Sequence, residues 1–213
     1  PNIKERRDYS CAVFDSKARM VAQAAHIPVH LGSMPASVHA ALEGFDLEPG
    51  DMVILNDPYL GGTHLPDITV VSPVYDPTDA AQLIGFVANR GHHADIGGMT
   101  PGSLPLSQEL YQEGIIIPPL KLASRGALNE ELIQLICRNS RTPEERKGDI
   151  NAQIAACRLG VSRLNDVISK NSLKYLLSVF DDLLLKREKL HAALDWEVML
   201  SLIHISEPTR LGM

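Results

Sequence analysis

MVILNDPYLGGTHLPDITVVSPVY, residues 52–75, sets two apolar, β-branched runs on either side of a polar connection. MVILN and ITVVSPVY have the composition of strands. DPYLGGTHLPD between them carries the Pro, Gly-Gly and Asp of a turn. Two strands joined in this way lay their polar connection along one edge of a sheet, where binding groups gather. His64 and Asp67, with two residues between them, are close enough for one loop to aim an imidazole nitrogen and a carboxylate oxygen at the same ion. Pro66 stiffens that approach, Gly61 and Gly62 allow close passage of backbone, and Asp57 is a supporting carboxylate. The alternative is an ordinary polar turn in which His64 only hydrogen-bonds.

Outward from this stretch two textures alternate. Between Tyr9 and Asn89 the runs YSCAVF, RMVAQAAHI and QLIGFVAN, punctuated by DSK, EPGD and YDPTD, read as further strands. One helix is expected at Pro35–Glu43, with Pro near its first position and Ser33 as cap. After Gly98 comes a long Gly- and Pro-rich loop whose IIIPPL segment is barred from a central strand by its two prolines. From Asn129 the period becomes helical. Thr142 and Glu145 form a capping box around Pro143, Ile150, Ile154, Val161, Leu164 and Ile168 recur at helical spacing, and a second stripe runs from Leu173 to Leu194. The expected class is α+β: a mixed β-sheet with site-bearing loops over residues 1–127, then long helices over 128–200. The last residues, SLIHISEPTRLGM at 201–213, read as a non-native tail, so His204 is kept out of the site.

A second strand end carries similar chemistry. RGHHADIGG, residues 90–98, follows QLIGFVAN directly. Adjacent side chains on an extended chain point to opposite sides, so one of His92 and His93 is the ligand candidate. Asp95 is a hydrogen-bond acceptor for an imidazole or a ligand itself. In HIPVHLGSM, residues 26–34, His26 and His30 are candidates for substrate binding or proton transfer, or are structural; Pro28 between them rules out a helical i,i+4 zinc pair. Glu113, in QEGIIIPP, is either an acid/base group brought over by the long loop or a solvated carboxylate.

Composition narrows the partners. With 26 acidic against 20 basic side chains and a net charge of -6, binding through phosphate neutralisation is disfavoured, which argues against nucleic acid. Three cysteines without a CxxC pair suggest neither a disulfide framework nor a thiolate zinc site, and fit a reducing cytoplasm. No apolar run reaches the roughly 18 residues that would suggest a membrane span, and PNIKERRDYS lacks the apolar region of a signal peptide.

ERRDYSCAVFD, HIPVHLGSM, NDPYLGGTHLPDITVVSPV, RGHHADIGGMTPGS, QEGIIIPP and GDINAQIAA, in this order, resemble the hydantoinase B/5-oxoprolinase family over about residues 2–195. The resemblance implies the N-terminal portion of a B subunit, or of the C-terminal half of a fused 5-oxoprolinase. It implies ATP-dependent opening of a small cyclic amide such as 5-oxoproline or N-methylhydantoin. ATP is expected on an A-type subunit or domain, in keeping with the lack of a GxxxxGK[ST] loop here, and the assembly is expected to be an oligomer. Carried over, the metal ligands fall on His64, Asp67 and His92. Imidazole and carboxylate donors suit Mn, Fe or Zn, and Asp57, Asp95 or Glu113 would orient a ligand or take a proton. An acetone-carboxylase-like subunit, or a metal-stiffened assembly module without turnover, are the rival expectations.

Overall fold

The computed structural model describes residues 2–24, 26–102 and 106–193. The expected tail and His204 lie outside them. A short helix α1 (Asn2–Glu5) leads into the hairpin β1 (Tyr9–Asp15) and β2 (Met20–Gln23), then α2 (Pro28–Leu42) and the strands β3 (Met52–Leu55), β4 (Asp67–Tyr75) and β5 (Leu83–His92). A 3-10 turn at Leu110–Gln112 precedes β6 (Leu120–Ser124), β7 (Ala127–Leu128), and the helices α3 (Glu130–Arg138), α4 (Pro143–Asn171) and α5 (Leu173–Ala193). The strands form one sheet in the order β2-β1-β5-β4-β3-β6-β7. The α+β class holds. The sheet expected to be mixed is antiparallel at every pairing among the described residues, because hairpins and antiparallel returns join its neighbours.

Alternation of side chains divides the core. Val53, Leu55, Val71 and Phe86 face α2 and pack with Met34, Val38 and Ala41. Ile54, Ile68, Val70 and Val87 face the other way, against Ile150, Ile154 and Cys157 of α4. Sheet and helices therefore share a core, and covering both faces explains why β3 and β4 read as continuous apolar runs. At about 1.5–3 kcal/mol for each fully buried large apolar side chain, these two layers fix where α2 and α4 lie.

Three local expectations are revised. The helix expected at Pro35 starts at Pro28, so Pro35 is internal and Ser33 lies inside the helix, its hydroxyl donating to Val29 O. RMVAQAAHI contributes only Met20–Gln23 to the sheet. Thr142 caps α4 and Pro143 opens it as expected, but the Thr142 side chain makes no capping bond; the Ser140 hydroxyl accepts the Thr142 N–H instead. The two expected apolar stripes fall on separate helices, α4 and α5, divided at Ser172 with its positive φ of 111°, and Leu194 lies outside the described residues.

The β4–β5 hairpin does the most for the site. Its register places Asp67, the first residue of β4, directly opposite His92, the last of β5, with Thr69 opposite Arg90 one step inward. Directly paired residues project to the same face. All four thus lie on the α2 side, whereas Asn89 and His93 reach toward α4, where they bond to Gln153.

Candidate metal centre

Asp67 is the hub of a cluster drawn from three elements. Its side chain is 2% exposed, yet three imidazoles reach it: His92 Nδ1 at 2.9 Å, His64 Nδ1 at 3.0 Å and His30 Nε2 at 3.4 Å. The Thr63 hydroxyl donates to the same carboxylate at 3.2 Å. His92 comes from the hairpin register and His30 from the first turn of α2. His64 comes from the glycine loop, which closes on β4 through the Asp67 N–H donating to His64 O. The His64 and His92 rings stack with centroids 5.1 Å apart. His64 is the open side of the cluster, with 39% of its side chain exposed.

The glycine loop is held at its base by Asn56, which is fully buried at the end of β3. Its Nδ2 donates to Leu65 O at 2.7 Å and Ile115 O at 3.0 Å, and its Oδ1 accepts the Ile117 N–H at 2.6 Å. Gly62 has to be a glycine, since a Cβ there would run into the Asn56 and Asp57 carbonyls. Gly61, at φ 85°, lies against the Ala36 carbonyl of α2.

Electrostatics follow from this crowding. Burial opposes ionisation of Asp67, but the hydrogen bonds from His30, His64 and His92 hold its carboxyl well below the ordinary range. The same bond raises His64 above its ordinary value, against the opposing pull of burial, and the Glu113 charge adds to the rise. His93, by contrast, is fully buried, and burial together with the nearby Arg146 pushes it down to about 3. It is a neutral structural imidazole bonded to Gln153 Oε1 at 2.9 Å.

The donor set fits a divalent metal. His64, Asp67 and His92 are the one such group among the described residues, each offering an atom within 4.8 Å of the others. Ligands about 2.0–2.2 Å from one ion stand about 3 to 3.6 Å apart, and the His92 and His64 nitrogens lie 2.9 and 3.0 Å from the two Asp67 oxygens, close to that range. Metal and proton compete for His64, whose pKa is raised. Affinity for Mn²⁺ or Zn²⁺ measured by titration calorimetry is therefore expected to fall as pH drops from about 8 to 6, with a proton released on binding. A pH-independent affinity would contradict this.

The other expected site residues are distributed as follows. His30 sits on Asp67, its Nδ1 3.2 Å from Ser10 Oγ. His26 accepts the Cys11 N–H at 3.1 Å and meets the Tyr9 ring edge-on, so it braces β1. Asp57 accepts the Tyr59 N–H within its own turn. Asp95 is taken up by Arg141, through its backbone N–H at 2.7 Å and guanidinium at 2.9 Å, which locks the junction before α4. Glu113 accepts from the Ser107 hydroxyl at 2.8 Å. The sequence reading missed Asp8, 3.9 Å from His30 Nε2, and Arg90, which is fully buried beneath the cluster. Nothing in the string RRDYS marks Asp8, and only the β1–β5 register carries it there.

The sequence matches the Hydantoinase B/oxoprolinase family over residues 1–194. It is 48% identical over 176 residues to an uncharacterized protein of Methanocaldococcus jannaschii, covering 80% of this chain and 31% of that one. It is 43% identical over 189 residues to the 5-oxoprolinase of Saccharomyces cerevisiae, covering 83% and 14%. The caprolactamase subunit beta of Pseudomonas jessenii is 36% identical over 166 residues, covering 76% and 28%. The crystal structure of ATP-dependent caprolactamase from that organism superposes with a TM-score of 0.73 at 32% identity, over 83% of this chain and 30% of that one. Acetone carboxylase in its nucleotide-free structure shares the fold, with a TM-score of 0.73 at 20% identity over 84% of this chain and 24% of that one. The chain thus spans less than a third of the length of these relatives.

Proposed function

Because the chain belongs to the hydantoinase B/oxoprolinase family, we propose that it supplies the metal-bearing part of an ATP-dependent enzyme that opens a small cyclic amide. The observation that carries this reading is the convergence of His64, Asp67 and His92 at two strand ends, with donor spacings suited to one ion. A divalent metal held there would polarise a carbonyl oxygen or lower the pKa of a water to about 7. The chain's own residues do the positioning. Asp67 presents both oxygens, one toward His92 and one toward His64. His30 is buried and holds that carboxylate from the helix side, while His64, on the open side of the cluster, is the imidazole a substrate would meet. Glu113, whose charge is felt at His64, is the loop carboxylate assigned to proton transfer. Asp57 and Asp95 support the two loops through their turn and Arg141 bonds.

ATP and its A-type partner belong to the same proposal, supported by the ATP-dependent caprolactamase among the relatives. So does a cytoplasmic location, supported by the free thiols of Cys11, Cys137 and Cys157. No helix among the described residues is long and apolar enough to cross a membrane. The test combines the full-length protein with its ATP-binding partner and offers 5-oxoproline, caprolactam and a hydantoin. Ring opening coupled to ADP release, lost in Asp67→Ala, is expected. ATP-dependent carboxylation in place of ring opening, or no ATP-linked product from any cyclic amide, would overturn the lactamase reading.

A further inference from the structure

Arg90 is an unusual core residue: a guanidinium with no exposed surface and, among the described residues, no carboxylate as a hydrogen-bond partner. Burial draws its pKa down while the Asp67 charge props it up. Burying a cation among neutral acceptors is costly, and an apolar residue would pack α2 on the sheet at lower cost. The bonds indicate what the arginine does instead. Nε donates to Thr69 Oγ1 of β4 at 2.9 Å. Nη1 donates to Ser33 Oγ and, at 3.4 Å, to His30 O, while Nη2 donates to Ser37 Oγ at 2.6 Å. The Ser37 hydroxyl in turn donates a hydrogen bond to Gly61 O in the glycine loop.

One rigid fork thus ties together the strand that starts at Asp67, the helix turn that bears His30, and, through Ser37, the loop that delivers His64 three residues after Gly61. Asp67 and His92 are aligned by strand register alone. His64 is not, and it is the most exposed of the three. We propose that Arg90 is a positioning residue for the metal centre, acting through Ser37 and Gly61 to hold the His64 loop over Asp67. The proposal rests on the metal reading above and adds the device that preorganises it.

The test uses cobalt(II) as a spectroscopic probe on the full chain, comparing wild type, Ser37→Ala and Arg90→Lys. Ser37→Ala removes both the bond from Arg90 Nη2 and the bond to Gly61 O, and leaves the buried cation Thr69, Ser33 and His30 O as partners. Arg90→Lys keeps the charge but loses the planar fork, and a single ammonium does not span Thr69 and Ser37 together. Both variants are expected to bind Co²⁺ about 10- to 100-fold more weakly, the range typical of outer-shell losses, with a shifted visible absorption band and a native circular dichroism spectrum. If Arg90→Lys fails to fold, Ser37→Ala carries the test. Wild-type affinity and absorption in folded Ser37→Ala would overturn the positioning role while leaving the metal centre standing. Failure of the wild type itself to bind Co²⁺ would overturn both.

Discussion

Asp67→Ala is expected to lower divalent-metal affinity by more than about 100-fold, beyond the loss typical of an outer-shell change. The carboxylate is the anionic donor of the His64, Asp67, His92 triad, with Oδ1 against His92 and Oδ2 against His64 and His30. Its removal also leaves His30, His64 and His92 without their common acceptor. Asp67→Asn separates charge from shape: the amide keeps an acceptor for one imidazole and fills the same space, yet supplies no negative charge. It should fold close to wild type at pH 8 and still bind metal weakly by isothermal titration. Near-wild-type affinity in Asp67→Asn would contradict the assignment of the carboxylate as ligand.

Asn56→Ala should produce the largest loss of stability. The fully buried side chain closes three hydrogen bonds, to the Leu65 carbonyl of the glycine loop and to the Ile115 carbonyl and Ile117 N–H of the long loop. Alanine leaves those backbone groups buried without partners, at about 1–3 kcal/mol each. A total of several kcal/mol lowers the melting temperature of a domain this size by roughly 10 °C or more. Asn56→Asp is expected to be little better, since it restores the acceptor for Ile117 but turns an oxygen toward the Leu65 and Ile115 carbonyls. Differential scanning calorimetry reads both, and a melting temperature within about 2 °C of wild type would sink this account of the loop.

These two residues also mark the boundary of what the sequence makes legible. The nearness of His64 to Asp67 is legible in the sequence, because the two share a short loop, and GHHAD offers similar residue types at a second strand end. The central strands were readable from their β-branched runs, and α4 from Pro143 and its periodic apolar residues. The start of α2 was not. Pro35 looks like a first helical residue, and an internal proline costs about 3 kcal/mol. Burial of Met34, Val38 and Ala41, with the Arg90 bonds to the same turns, outweighs that cost. Asn56 and Arg90 were invisible for a related reason. Asn at a strand end reads as a turn former, and arginine is almost never fully buried. Only the tertiary contacts reveal that Asn56 bonds to Leu65, Ile115 and Ile117 and that Arg90 bonds to Thr69, Ser33 and Ser37. The division between His92 and His93 likewise depends on register: adjacent residues face opposite layers, one toward Asp67 and the other toward Gln153.

The most direct test of the central claim is elemental analysis of the purified full chain beside His64→Ala and His92→Ala, after loading with Mn²⁺, Fe²⁺ or Zn²⁺ and desalting. The account predicts one equivalent of a divalent metal in the wild type and less than about a tenth of that in each variant. Equal metal content in all three proteins, or none in the folded wild type, would contradict it.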